Sequence, residues 1–171
     1  QRSALFPSAW AAIALARAAK QGAAMPDDWD KLLEYLAGSL RGLTPNEDPA
    51  KLSDRAFAAY ALALAGRPEA SYHEELYRRR AQLPADARAA LALAIAGSKG
   101  PRDMTSALLR DDPSAPDDIS PFGGAARDRA IRLLALAGCD PKSKEIGALL
   151  AEVLAFGPQN RAGTTQSCAW T

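Results

Sequence analysis

Apolar side chains recur along this chain every three or four residues, and the stretches between them are punctuated by glycine, proline and small polar residues. Trp29, Leu32, Leu33, Leu36 and Leu40 are one such series, and that spacing puts all five on one face of a helix. The punctuation predicts nine helices. The first covers residues 5–20, with Pro7 in a first turn that tolerates proline, and stops at Gly22. Pro26 opens the second, whose Asp27, Asp28 and Asp30 set carboxylates at the positive end of the helix dipole. Residues 42–52 are rich in Pro, Asn and Asp and read as a loop, after which Ser53 N-caps a third helix, 54–65, closed by Gly66. Ser71 caps a fourth that reaches about Gln82. Pro84 opens a fifth that ends at Gly97, and a short sixth runs from near Pro101 to Asp112. Residues 111–121 form a polar, proline-rich loop. A seventh helix covers 124–137 and stops at Gly138, an eighth covers 143–156, and a ninth starts near Thr165.

The helices are of two kinds, and they alternate. One kind repeats: Ala56-Phe57-Ala58-Ala59-Tyr60-Ala61-Leu62-Ala63-Leu64-Ala65-Gly66 resembles the segment from Ala87 to Gly97, with further copies over residues 8–16 and 130–138. The closing glycines stand at 22, 66, 97 and 138, an interval of roughly 30 to 45 residues that suits helix-pair repeats. These helices are apolar nearly all round and so are expected to be buried on most sides. The others, such as residues 29–40 and 72–82, carry one charged face. Buried and half-exposed helices in alternation imply an all-α fold of inner and outer helix pairs, either an α/α toroid or a curved solenoid. Trp10, Trp29 and Trp170 are expected to pack between helices.

Composition supports this reading. The 171 residues are 48% hydrophobic and 24% charged, enough for one domain with a core. Alanine dominates the apolar runs, and its helix formation costs no side-chain entropy. β-branched residues are sparse, so few stretches suit strands. With 21 basic and 20 acidic residues interspersed, no basic patch points to nucleic acid or to an anionic membrane. No apolar run reaches the roughly 18 residues that span a bilayer. The chain starts without Met and ends in mid-pattern at Trp170-Thr171, and reads as a piece of a larger protein.

Candidate chemistry is thin. His73 is the only histidine; with no partnered nucleophile or metal cluster beside it, it reads as a solvated surface side chain. Asp27-Asp28-Trp29-Asp30 differs in order from the acidic clusters of toroid cyclases, and a helix start accounts for it. Asp111-Asp112 and Asp117-Asp118 lie beside prolines and read as loop residues. Arg78, Arg79 and Arg80 point in different directions from one helix and are expected on a solvated face. Arg127 and Asp128 open an otherwise apolar helix, so one or both are expected to be partly buried, fastening that helix to the loop before it. Cys139 and Cys168 lack a metal-site spacing and read as small buried hydrophobes. No catalytic, cofactor-binding or metal-binding residue is expected, and the chain is not expected to be an enzyme.

Three segments nonetheless resemble a known family. They are Ser8-Ala9-Trp10-Ala11-Ala12-Ile13-Ala14-Leu15-Ala16-Arg17-Ala18 with Gly22 and Met25-Pro26; Phe122-Gly123-Gly124-Ala125-Ala126-Arg127-Asp128-Arg129-Ala130; and Gly163-Thr164-Thr165-Gln166-Ser167-Cys168-Ala169-Trp170. In order and approximate spacing they are similar to the thioester-domain region of bacterial α2-macroglobulins, and the likeness runs over nearly the whole chain. It implies a partial α/α toroid of the terpenoid cyclase and prenyltransferase kind, with residues 1–171 forming a single helical-repeat domain that belongs to a larger thioester domain. It also implies a scaffold role in a protease-trapping inhibitor of the periplasm or cell envelope, with a lipoprotein as one form the parent can take. The implied partners are neighbouring β-sandwich domains of the same chain and, for the full-length parent, proteases. Nucleic acid and direct membrane contact are not expected, whereas pairing of the piece as a homodimer is. The family joins a cysteine to a glutamine three residues later in a Cys-x-Glu-Gln motif. No such motif occurs here: in Gln166-Ser167-Cys168 the glutamine comes first, and Cys139 is followed by Asp140-Pro141-Lys142. Two other readings stand beside this one, a generic α-helical binding module and a toroid enzyme.

Overall fold

The structure is a computed structural model that describes residues 4–110 and 124–156. Its elements are α1 (Leu5–Lys20), α2 (Trp29–Arg41), α3 (Pro49–Leu64), α4 (Ala70–Arg78), a 3-10 turn (Arg80–Gln82), α5 (Ala85–Gly97), α6 (Arg102–Leu109), α7 (Ala125–Cys139) and α8 (Glu145–Phe156). Among the described residues there is no strand. The ninth expected helix, the 111–121 loop, Trp170 and Cys168 lie outside them.

The odd-numbered helices form a row in which α3 packs between α1 and α5, and α5 between α3 and α7. The even-numbered helices make a second layer: α2 rests on α1 and α3, α4 on α3 and α5, α6 on α5 and α7, and α8 on α7. This is the expected alternation of inner and outer helices. It follows from the side chains. In α3 every residue from Arg55 to Leu62 is buried, and in α5 every residue from Asp86 to Ala92. A helix can bury its whole circumference only if neighbours cover it all round, and alanine lets those neighbours approach closely. Gly97 and Gly138 serve the same end: a Cβ on Gly97 would sit 3.7 Å from the Ala63 Cβ, and one on Gly138 3.5 Å from Leu93 Cδ2. In α1 and α7 burial is confined to one stripe, because each has a row neighbour on one side only among the described residues.

The outer helices bury leucines instead: Leu33, Leu36 and Leu40 of α2, Leu76 of α4, and Leu108 and Leu109 of α6. Each fully buried leucine contributes roughly 1.5–3 kcal/mol. Phe6, Trp10 and Phe57 tie α1 to α3, with the Trp10 and Phe57 ring centroids 5.1 Å apart.

The boundaries depart from expectation where two signals competed. α3 starts at Pro49, not at Asp54, because Asp48 is the better cap: its carboxylate accepts the Ala50 N–H at 2.8 Å, and proline suits the next position. Ser53 is therefore inside the helix. Glu69, not Ser71, precedes α4. Of the three early aspartates only Asp30 lies in the first turn of α2. Gly22 and Gly66 do close their helices with positive φ, at 91° and 76°, the left-handed cap that glycine adopts without strain. Gly97 and Gly138 do not; they remain within α5 and α7. At the end of α5 the left-handed position falls to Lys99, with φ 58°.

Candidate functional site

The inner layer carries buried charge that its alanine-rich sequence does not advertise. Arg127, in the first turn of α7, is the largest fully buried side chain, at 0% exposure. Its guanidinium meets the Asp86 carboxylate at 2.7 Å, and Asp86, in the first turn of α5, is itself 1% exposed. The same guanidinium lies 3.6 Å from Asp128. The expected burial at Arg127 is thus found, and the fastening runs to α5; the loop before α7 lies outside the described residues. Sequence reasoning missed Asp86, which reads as an ordinary first-turn acid after Pro84.

Other arginines hold the connections between helices. Arg55 of α3 donates to the Gly42 carbonyl at 3.0 Å and pairs with Glu47 at 2.7 Å. Arg79 donates to the Thr44 carbonyl at 2.5 Å and pairs with Glu75 at 2.6 Å. The 42–48 connection is therefore clasped from α3 on one side and from the end of α4 on the other. Arg88 of α5 donates to the Arg80 and Leu83 carbonyls, both at 2.9 Å, and so fixes the 3-10 turn. The expectation of a solvated face for Arg78, Arg79 and Arg80 needs correction at Arg79, which is half-buried. Arg78 is exposed and paired with Glu74, and Arg80 lies over the Tyr77 ring, 4.5 Å from its centroid. Asp54 sits half-buried beside Arg55, and burial pushes its carboxyl up to about 6, against a smaller opposing pull from Arg55.

His73 is not a surface residue. It is 4% exposed, because it shares the buried face of α4 with Leu76, three positions on. Its Nε2 has no hydrogen-bond partner, and burial alone pulls the imidazole down to about 4, so that the ring is neutral at pH 7. It lines an open cavity of about 490 Å³ between α4, the end of α5 and the start of α6, with Tyr77, Ile95 and Met104 among the other walls. The two acids that follow it in sequence turn away: Glu74 and Glu75 pair with Arg78 and Arg79.

The remaining candidates do not converge. Asp28 pairs with Lys31 and Asp30 with Arg67, all on the surface. Arg67 also pairs with Glu34 at 2.6 Å and holds that carboxyl below its usual range. Cys139 is half-buried in α7, its Sγ 3.7 Å from the Ala92 carbonyl, and burial raises its thiol. No three or more metal-ligating side chains cluster among the described residues. Nor is any helix among them long and apolar enough to cross a membrane.

The layered helix pairs have counterparts among solved structures. Salmonella alpha-2-macroglobulin, in a crystal structure of the protein reacted with methylamine, superposes on 98% of this chain with a TM-score of 0.78 at 22% identity. The fold is that of a segment of bacterial alpha-2-macroglobulin. Native Escherichia coli alpha-2-macroglobulin, in a structure spanning domain MG7 to the C-terminus, matches equally well at 20% identity, with a TM-score of 0.78. The trypsin-activated form of the Escherichia coli protein gives 0.75, also at 20% identity. This chain spans 12% of the length of the Salmonella and trypsin-activated chains and 28% of the MG7-to-C-terminus chain. The matching segment therefore lies in the region after the start of MG7, and the two helical layers are an arc of an α/α toroid. No protein-family model matches the sequence, and no curated protein matches it.

Proposed function

We propose that this chain is a scaffold part of the thioester domain of a bacterial alpha-2-macroglobulin-like protease trap, acting in the periplasm or cell envelope, and that residues 1–171 form one helical-repeat domain within that larger unit. The observation that carries the reading is the superposition of 98% of the chain on bacterial alpha-2-macroglobulins. It agrees in fold with the family resemblance of the three sequence segments. In this reading the chain does no chemistry. Its role is mechanical: alanine-packed inner helices, clasped by buried arginines, give a stiff wall around a reactive bond contributed from elsewhere in the parent. One surface feature supports docking against neighbouring domains of the same parent. α2 and α4 turn charged residues outward, whereas α8 exposes Leu150 and Leu154, the latter 61% exposed. Apolar surface of this kind is favourable to cover.

The test uses the full-length parent. Free thiols are counted by mass spectrometry before and after methylamine. A new thiol, with the amine added to a glutamine outside residues 1–171, supports the proposal. No amine uptake by a natively folded parent refutes a working thioester and leaves a helical binding module, for which the exposed face of α8 is the favouring observation.

A further inference from the structure

α4 is lightly seated. Two of its side chains are buried, His73 and Leu76, whereas α2 buries four and α6 three. Its ends are pinned separately. Before it, Arg67 pairs with Glu34 of α2 at 2.6 Å. After it, Arg79 donates to the Thr44 carbonyl, and Arg88 holds the 3-10 turn through the Arg80 and Leu83 carbonyls. Residues 68–78 are thus a strap, fastened at both ends and pressed onto α3 and α5 by two side chains. One of the two is the sole imidazole of the chain. A neutral imidazole packs there like any other ring, but an imidazolium needs water or an opposite charge. Neither is at hand. α3 carries no charged residue from Ala56 to Gly66, and α5 none from Ala89 to Ser98. Lys99, Arg102 and Asp103, between α5 and the first turn of α6, stand on exposed positions. On α4 itself Glu74 and Glu75 are taken by Arg78 and Arg79, and Glu69 precedes the first turn, part-exposed. No charge from any of these elements acts on the His73 proton; burial does. The dipole of α4 works in the same direction, because His73 stands one turn from its positive end.

We propose that α4 is an acid-released strap: a proton on His73 unseats residues 68–78 from α3 and α5, while the ends at Arg67 and Arg79 stay pinned. The opening is local, because α3 and α5 are held by their other neighbours as well. It uncovers Leu76 and the flank of α5 that α4 covers, and it gives the charged ring the water that it lacks when seated. The device stands on the packing of α4 and is independent of the scaffold reading.

Amide exchange of the 171-residue chain, followed by NMR at pH 7 and pH 5 and expressed as protection against the intrinsic rate at each pH, reads the opening helix by helix. With the imidazole at about 4 when seated and 6.5 when released, protection in α4 is expected to fall about twentyfold from pH 7 to pH 5. α2 and α5 are expected to change by less than about threefold. Asp54, which also titrates in this range, lies in the first half of α3 and acts with the opposite sign. His73→Phe, which keeps a ring and takes up no proton, is expected to hold α4 protection within about threefold between the two pH values. Should that variant fail to fold, the unaltered chain decides: the 15N signal of its sole histidine must report proton uptake over the same pH range in which α4, and not α2, loses protection. α4 protection that is equal at pH 7 and pH 5, that falls no more than in α2 and α5, or that falls as far in His73→Phe overturns the proposal.

Discussion

Replacing Asp86 with alanine tests whether the contact between α5 and α7 rests on a buried ion pair. At 2.7 Å and an effective dielectric constant near 20, the attraction is about 6 kcal/mol before desolvation is counted. Desolvation cancels most of that when both charges are present, so the pair as a whole adds little to stability. Removing one partner is different, because Arg127 then stays in an interior that gives it no water. The usual loss is about 3–5 kcal/mol. Asp128, 3.6 Å from the same guanidinium and part-exposed, softens the effect, so the lower end is expected, about 3 kcal/mol. For a chain of this length that is a fall in Tm of roughly 6–12 °C. The assay is urea and thermal unfolding of Asp86→Ala, Arg127→Met and the double variant. The double variant removes both charges and is expected to recover at least half of the single-variant loss. A Tm for Asp86→Ala within about 1 °C of the parent, or losses that simply add in the double variant, would show that the pair does not hold the two helices together.

Asp54→Asn is expected to stabilise the chain at pH 7. A folded-state carboxyl raised to about 6 from 3.8 carries a penalty that is full above pH 6 and fades as pH falls toward 4. After discounting for its partial exposure the gain is about 1 kcal/mol, and it should vanish near pH 4; equal Tm values at pH 7 would refute it. His73 has the opposite sign. With its folded value lowered to about 4 from 6.5, the unfolded chain takes up the proton first, and stability is lost as pH falls from 6.5 toward 4. His73→Phe flattens that part of the pH–stability curve, and an unchanged slope between pH 4 and 6.5 counts against a buried neutral ring. Asp48→Ala removes the cap of α3 at a cost of about 1 kcal/mol, whereas Ser53→Ala, inside the helix, changes stability by no more than about 0.5 kcal/mol; the reverse order in urea midpoints would restore Ser53 as the cap.

Eight of the expected helices were legible because their signals agree: helical apolar spacing, proline at starts, glycine at stops. α1 matches its expected bounds at both ends. Legibility failed where a local signal was outbid or where the partner lay far along the chain. Ser53 is a good cap by type, but Asp48-Pro49 offers a better one five residues earlier. Gly97 and Gly138 look like stops and instead mark close helix contacts, which depend on Ala63 and Leu93 in other helices. Arg127 was singled out by its apolar surroundings, yet Asp86 lies 41 residues away and nothing local links the two. His73 was misread because the lack of a partnered nucleophile or metal cluster beside it argues against chemistry and says nothing about burial. The three-residue step to Leu76, on the same face, was the signal that could have found it.

The row of inner helices has a consequence for how the chain comes apart. Each helix in it leans on its immediate neighbours, so the molecule behaves like a zipper, not a ball. α8 rests on α7, and an opening that starts there need not disturb α1 and α3 at the other end. Amide exchange is expected to be slowest in α3 and α5, intermediate in α1 and α7, and fastest in α8. A ligand, partner or domain pressed against α8 would then do more than cover two leucines. It would close the loose end of the zipper and raise the protection of α7 with it.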